Sequence, residues 1–465
     1  MLISSYLKCT TLAATLAFVP SFIAAQTAFA PPTDFTGRMQ ISSTDDGAPI
    51  FPGSRVSLRG SGYTPGQSIV LQRGTQVLTQ TPLLVDAQGA VAFELSLPDD
   101  AAVGMHPVVM LGQTPDATQI LDLKVSPVVA LQGGDRFDQM AVTSPVAGLY
   151  QLDYSAKSGA VFVTASAFTP PQSALMKLDP TTLQVLARTD PAPFTAALKS
   201  GKGGRFADGP VGVFGIGLDD SRDRVWVTNT PANSLAVYDS NDLSLIKQFP
   251  QDEVYHSREV LVDEANGRVY VTSSATAKVY VFDAQTLEPV KIIEIDSTLR
   301  GEDFYVMNMA LDATGGRIFV SSRATSEVAV IDTTLGEVTQ VFAVPDMIHA
   351  TGIAYGDGRL FVAGQGSDNL AIIDPADTNV LYNVPVGAGA LSVVYDDTNG
   401  RAWVANRGAG TLTGVDAEGK IVAVLDIGSL PNDVAIGPDG ALYTTNKSRG
   451  AQDATGDRIT VIRAK

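Results

Sequence analysis

The chain has 465 residues, 45% of them hydrophobic and only 17% charged, with 43 glycines, 26 prolines and a formal charge of −17. Such a composition suits a globular protein of short strands and tight turns and excludes a disordered one. The acidic balance repels nucleic acid and anionic lipid at long range, and beyond the N-terminus no segment reaches eighteen consecutive apolar residues, so neither a nucleic-acid partner nor a membrane span is expected.

At the N-terminus one cation, Lys8, precedes the apolar run TLAATLAFVPSFIAA, small residues follow, and no acid appears before Asp34. This is the pattern of a secretory signal. Cleavage is expected after Ala25, with Ala28 to Ala30 as a second site that Pro31 disfavours. Residues 1–25 are thus read as a signal peptide and 26–36 as a flexible leader, which places the protein in the periplasm or outside the cell. The alternative is a buried N-terminal helix. Removing the signal removes Cys9, the single cysteine, and with it disulfides and thiol catalysis.

From Gly37 to Pro127, apolar and polar residues alternate. Val91, Phe93, Leu95 and Leu97 line one face of a predicted strand, and Leu121, Leu123 and Val125 repeat the device. Gly and Pro cluster between strands, which predicts a small β-sandwich over 37–127. The phrases GSGYTPGQ and DAQGAVAFELSLP resemble bacterial Ig-like modules. That resemblance implies a spacer, a lid or a ligand-binding module.

After Val128 one phrase recurs: AVFVTA, RVWVTN, RVYVTS, RIFVSS, RLFVAG, RAWVAN and ALYTTN. Its aromatic or equivalent positions are Phe162, Trp226, Tyr270, Phe319, Phe361, Trp403 and Tyr443, separated by 64, 44, 49, 42, 42 and 40 residues. An inner strand and a Gly/Asn turn precede each phrase, and a polar loop follows it. A third strand then ends in Asp at 179, 239, 283, 332, 374 and 416, where a carboxylate caps the turn to a fourth strand. A four-stranded unit of this kind cannot bury both faces alone, so the period predicts blades stacked around an axis. The expected fold is all-β: a seven-bladed β-propeller over 128–465, preceded by the sandwich. The aromatics are expected between blades. The seventh unit lacks a fourth strand, which the segment from Val128 to Val142 is expected to supply.

The repeats resemble the YVTN-repeat, YncE-like seven-bladed propellers, which are usually secreted or periplasmic. The resemblance covers about Val128 to Lys465 and implies a fold, with no shared catalytic motif; related propellers serve as lactonases, lyases or binding proteins.

Loop expansions fall on one face: the connection after Asp179, the loop in the seventh unit and the connection after Asp283. Length variation confined to one side marks a functional rim, or simple tolerance of insertion. The longest insertion, Asp190 to Gly212, predicts a short helix and a Gly-rich loop. His256, Arg258, Arg323, His349, Arg407, Lys447 and Arg449 are expected on this face as a cationic collar for an anionic ligand or a protein partner. The alternative is scattered solvated charge neutralised by Glu302, Asp303 and Asp453. One row further in, Glu259, Asn308 and Asp433 point toward the central channel, where their oxygens suit Ca²⁺ or Mg²⁺; a metal there would resemble the site of propeller lactonases. The alternative is a polar, water-filled channel. The first functional reading is a binding protein with no cofactor. The second is a metal-dependent lactone or ester hydrolase or lyase, with His256 or His349 as base.

Overall fold

The computed structural model describes residues 33–193 and 210–465. The expected signal peptide and most of the expected Asp190–Gly212 helix and loop lie outside the described residues. Among those residues there is no α-helix, only strands and short 3₁₀ turns.

The front of the chain forms two sheets. One holds Arg38–Ser43, Arg55–Ser61 and Val91–Ser96; the other is five-stranded and includes Ser68–Arg73, Gly104–Gln113 and Ala117–Val125. Val91 is buried and Phe93 and Leu95 are half-buried between exposed neighbours, while Leu121, Leu123 and Val125 are all buried, so the predicted alternation holds. Two compact units result. One comprises Arg59–Phe93, Pro107–Leu121 and the described residues up to Gln40; the other comprises Ile41–Leu58, Glu94–His106 and the described part of Asp122–Lys465.

Within the larger unit, the residues after Val128 build seven four-stranded antiparallel sheets among the described residues. In the third, the order is Ser257–Asp263, Arg268–Ser273, Lys278–Asp283, Pro289–Glu294. The last sheet holds Pro431–Ile436, Leu442–Asn446 and Ile459–Ala464, and its fourth strand is Phe137–Thr143, with Thr460 opposite Val142. The segment expected to complete this sheet therefore does so. Each inner strand packs beside the next, and the last, Pro431–Ile436, packs beside the first, Leu149–Ser155, so the series closes on itself.

The core is distributed between sheets. Seven apolar clusters each join residues of two consecutive sheets, the one at the closure combining Leu149, Val161 and Met176 with Tyr443, Ile459 and Val461. All seven repeat aromatics are buried, Trp226 and Trp403 included. They are packing residues, as their alternation with valine implies. The turn carboxylates also act as expected: Asp283 Oδ1 accepts from Gln285 N at 3.0 Å and Thr286 N at 2.8 Å. These donors hold the Asp283 carboxyl below its ordinary range.

Six inner strands carry a bulge at the same height. The extra residues include Tyr150 and Gln151, Arg258 and Glu259, Met307 and Asn308, Thr351 and Gly352, Leu391, and Asn432. A bulge re-aims its side chains and breaks strict alternation. The Thr or Ser of the recurring phrase holds it open. Gln151 N donates to Thr164 Oγ1 at 3.2 Å, Glu259 N to Thr272 Oγ1 at 3.1 Å and Asn308 N to Ser321 Oγ at 3.2 Å. Several of these hydroxyls also donate to the next sheet: Thr228 to Arg258 O at 3.2 Å, Ser321 to Thr351 O at 2.6 Å and Thr445 to Tyr150 O at 3.1 Å. Gly215 completes the second sheet's share, since a Cβ there would lie 1.8 Å from Arg258 O.

Candidate functional site

Tyr150, in the first inner strand, organises the expected collar. Arg258 Nη1 donates to its hydroxyl at 2.9 Å, and Lys447 Nζ stands 4.7 Å from its ring centroid. Its carbonyl accepts from Asn432 Nδ2 at 2.6 Å, and Asn432 Oδ1 in turn accepts from Arg407 Nη1 at 2.6 Å. Three cations from three sheets thus meet around one phenol. Burial, followed by the charge of Arg407, pushes the Lys447 ammonium down to about 8. Burial and the nearby Arg258 and Arg449 lower Arg407 as well.

The other predicted members are placed less centrally. Arg449 is exposed, donates to Gly47 O, and reaches Arg407 through its charge. His256 Nδ1 shares a 2.7 Å hydrogen bond with Ser274 Oγ; burial, then Arg258, lowers its pKa. Arg323 and His349 form a second group, in which burial, then Arg323 and Lys124, lower the histidine. His256 and His349 occupy the same position, immediately before an inner strand, and both have positive φ (47° and 55°). Tyr305 and Leu430 stand at the same place before their inner strands with φ of 32° and 46°, so this conformation belongs to the repeat.

Ion pairs form at both ends of the sheets, at the collar end between Lys278 and Glu294 and between Arg188 and Asp190, each at 2.9 Å. At the turn end, Arg268 pairs with Asp283 at 2.8 Å, Arg317 with Asp312 at 2.7 Å and Arg222 with Asp219 at 3.2 Å. At the collar end, Arg258, Arg323, Arg407, Lys447 and Arg449 form no ion pair among the described residues. Asp453, a candidate neutraliser, instead accepts from Arg449 N and Ser429 Oγ, each at 2.8 Å.

Directly inside the collar lie the expected channel residues. Asn308 Nδ2 donates to Glu259 Oε2 at 3.1 Å, and Gln151 Nε2 donates to the same oxygen at 2.9 Å. Asp433 accepts from Ser392 Oγ at 2.8 Å and from Leu152 N at 3.1 Å. Glu259 and Asn308 are therefore in direct contact, and Asp433 is coupled to Glu259 through charge. Burial raises the Glu259 carboxyl, and burial raises both Asp433 and Asp153 to about 7, with the charge of Glu259 adding to each. Gln151, Asp153 and Tyr150 were not singled out from the sequence. Gln151 stands four residues before the end of its inner strand at Ser155, the same spacing that selects Glu259 and Asn308, so extending the count to the first sheet finds it. Among the described residues, no group of three or more His, Cys, Asp or Glu is placed to hold a metal ion.

Beside Arg407 and Arg449 the larger unit opens a cleft of about 530 Å³, which also receives Lys124 and Asp122. Lys124 is neutralised there by Asp368, at 2.5 Å.

No family model matches the chain. It is 31% identical over 101 residues to the uncharacterised protein YncE of Salmonella typhi, and 30% identical over 101 residues to YncE of Salmonella typhimurium strain LT2. Each match covers 21% of this chain and 28% of the relative's length. Among solved structures it is similar to a hydrazine synthase of Kuenenia stuttgartiensis at 15% identity and a TM-score of 0.55, over 69% of this chain and 96% of that one. It is also similar to a streptogramin B lyase at 15% identity and a TM-score of 0.53, over 71% of this chain and 97% of the other. At that identity the likeness concerns fold alone, and the fold is of the β-propeller kind.

Proposed function

We propose that this chain is a secreted or periplasmic binding protein. In this reading residues 128–465 are a seven-bladed β-propeller and 37–127 an Ig-like module, with 1–25 a signal peptide and 26–36 a leader. The collar binds a small anionic ligand or an acidic group of a protein partner and performs no chemistry on it. One observation carries the reading: Arg258, Arg407 and Lys447 gather around Tyr150 with no ion pair of their own among the described residues, in a chain of net charge −17. Unpaired half-buried cations are costly to hold unless an anion uses them. The test is binding of succinate, phosphate and acidic peptides at low and high salt, with Arg258→Glu/Arg407→Glu as control. Binding that weakens with salt and is lost in the double variant is expected; equal retention by both proteins overturns the reading.

A second reading is supported by the contact of Glu259 with Asn308 and the charge coupling of Asp433 to Glu259. There a divalent ion, Ca²⁺ or Mg²⁺, on those three residues serves a lactone or ester hydrolase or lyase, with His256 or His349 as base. Calorimetry with both ions decides it: binding lost in Glu259→Ala and Asp433→Ala supports the reading, and no heat from the wild type ends it.

A further inference from the structure

The boundary between collar and channel carries an unmet donor on one side and an unmet acceptor on the other. Arg258 Nε is buried with no hydrogen-bond partner, and so is Asn308 Oδ1. Asn308 cannot turn its amide to cure this. Its Nδ2 is committed to Glu259 Oε2, and exchanging N for O would set two acceptors against each other. Gln151 is fixed likewise, with Oε1 accepting from Ile216 N at 3.2 Å while Nε2 serves Glu259.

Arg258 and Glu259 are consecutive and opposite in charge, yet they do not pair. The guanidinium is turned to Tyr150, and the carboxylate is held by two amides. The bulge that contains both residues holds these directions apart. Along one short run of the first inner strand, the surroundings change from cationic at Tyr150 to anionic at Gln151, Leu152 and Asp153. At the rise of a strand, that run spans about 10 Å.

We propose that the site takes a small amphoteric molecule, its anionic group at Arg258, Arg407 and Lys447 and its protonated amine against Glu259 and Asn308 Oδ1. This rests on the anion-binding reading of the collar and names the second half of the ligand. The Glu259 carboxylate and the unpartnered Asn308 Oδ1 offer an ammonium the oxygens it needs, beside the amide donors of Asn308 and Gln151 that hold the carboxylate in place. Joining both charges in one molecule makes the second contact intramolecular, so the amphoteric ligand outbinds either half alone.

The test titrates the full chain at pH 7 and low salt with three matched sets: 4-aminobutyrate and 6-aminohexanoate; butyrate and hexanoate; butylamine and hexylamine. We expect an amino acid to bind at least about tenfold more tightly than its matched acid and its matched amine. In Glu259→Gln the ratio of amino acid to acid affinity should fall to near one. Equal binding of acids and amino acids overturns this inference and leaves the collar reading intact. No binding by any acid or amino acid removes both. Tight Ca²⁺ or Mg²⁺ binding that Glu259→Gln abolishes, without amino-acid preference, gives the channel to a metal and also overturns the inference. The wild-type series is decisive by itself should the variant not fold.

Discussion

Lys447 is the sharpest probe of the collar. Its ammonium is brought from the ordinary 10.5 to about 8 by burial, then by Arg407 and Arg258. Each tenfold change in proton affinity is about 1.4 kcal/mol. Burial, with the neighbouring cations adding to it, therefore imposes on the order of 3 kcal/mol on this charge, reduced to roughly half by solvent at a half-buried site. An anion seated among the three cations offsets the repulsion and pairs with the ammonium, which draws the pKa back up. Below about pH 8 the amine is charged in free and bound protein alike, so affinity is flat. Above it the free protein must take up a proton to bind, and affinity falls by up to tenfold per pH unit until the bound-state pKa is reached. Succinate titrations at pH 7, 8 and 9, in buffers of contrasting ionisation heat, count the protons. Uptake near zero at pH 7, about one half at pH 8 and approaching one at pH 9 is expected, and Lys447→Met should abolish it. Binding with no proton uptake at any of these pH values refutes the argument.

Asp153 and Asp433, both raised to about 7, hold protons in the folded state that the unfolded chain has already released, so they make stability fall as pH rises from about 4 to 7 and level off above. Thermal melts at pH 5 and 8 should differ less for Asp433→Asn than for the wild type. Thr228→Val keeps the shape but orphans Gly215 N, which donates to its hydroxyl at 2.7 Å, and Arg258 O. Denaturant unfolding should register a loss of about 1–3 kcal/mol. A chain starting at Gly148 lacks Phe137–Thr143, the outer strand of the last sheet, and exposes Ile459–Ala464 as an edge. It should lose cooperative unfolding in calorimetry; a melt like that of the full chain would show that this strand is dispensable.

Most of the fold was legible because its signals are local. The alternation of valine with Phe162, Trp226 or Tyr270 states which side chains face a neighbouring sheet, and burial agrees. An Asp at a strand end followed by polar residues states its own turn, and Asp179, Asp283 and Asp332 each cap one. The missing strand was legible by counting. The bulges were not, because a period-two reading assumes an unbroken ladder. The Thr of RVYVTS looks like an ordinary β-branched strand residue until its hydroxyl is seen to accept from the bulged backbone.

The site was legible only as a set of residues brought to one end. What a count of charges cannot provide is which charges cancel. Arg268 and Arg258 lie ten residues apart on neighbouring strands, and a sequence offers no reason to treat them differently. Arg268 meets Asp283 on the paired strand and becomes structural. Arg258 meets a tyrosine hydroxyl, while the acid beside it is held by Gln151 and Asn308 from other sheets. Each potential partner is occupied by a neutral group, so opposite charges stay separate at close range. In the proposed binding reading, neutral restraints of this kind set the side chains in place ahead of a ligand, which would lower the ordering cost of binding. The folded protein bears that cost in advance, visible in the lowered Lys447 and Arg407 and the raised Asp153 and Asp433. A sheet end whose charges only conferred solubility would need no such restraints, since exposed charges settle against water or each other.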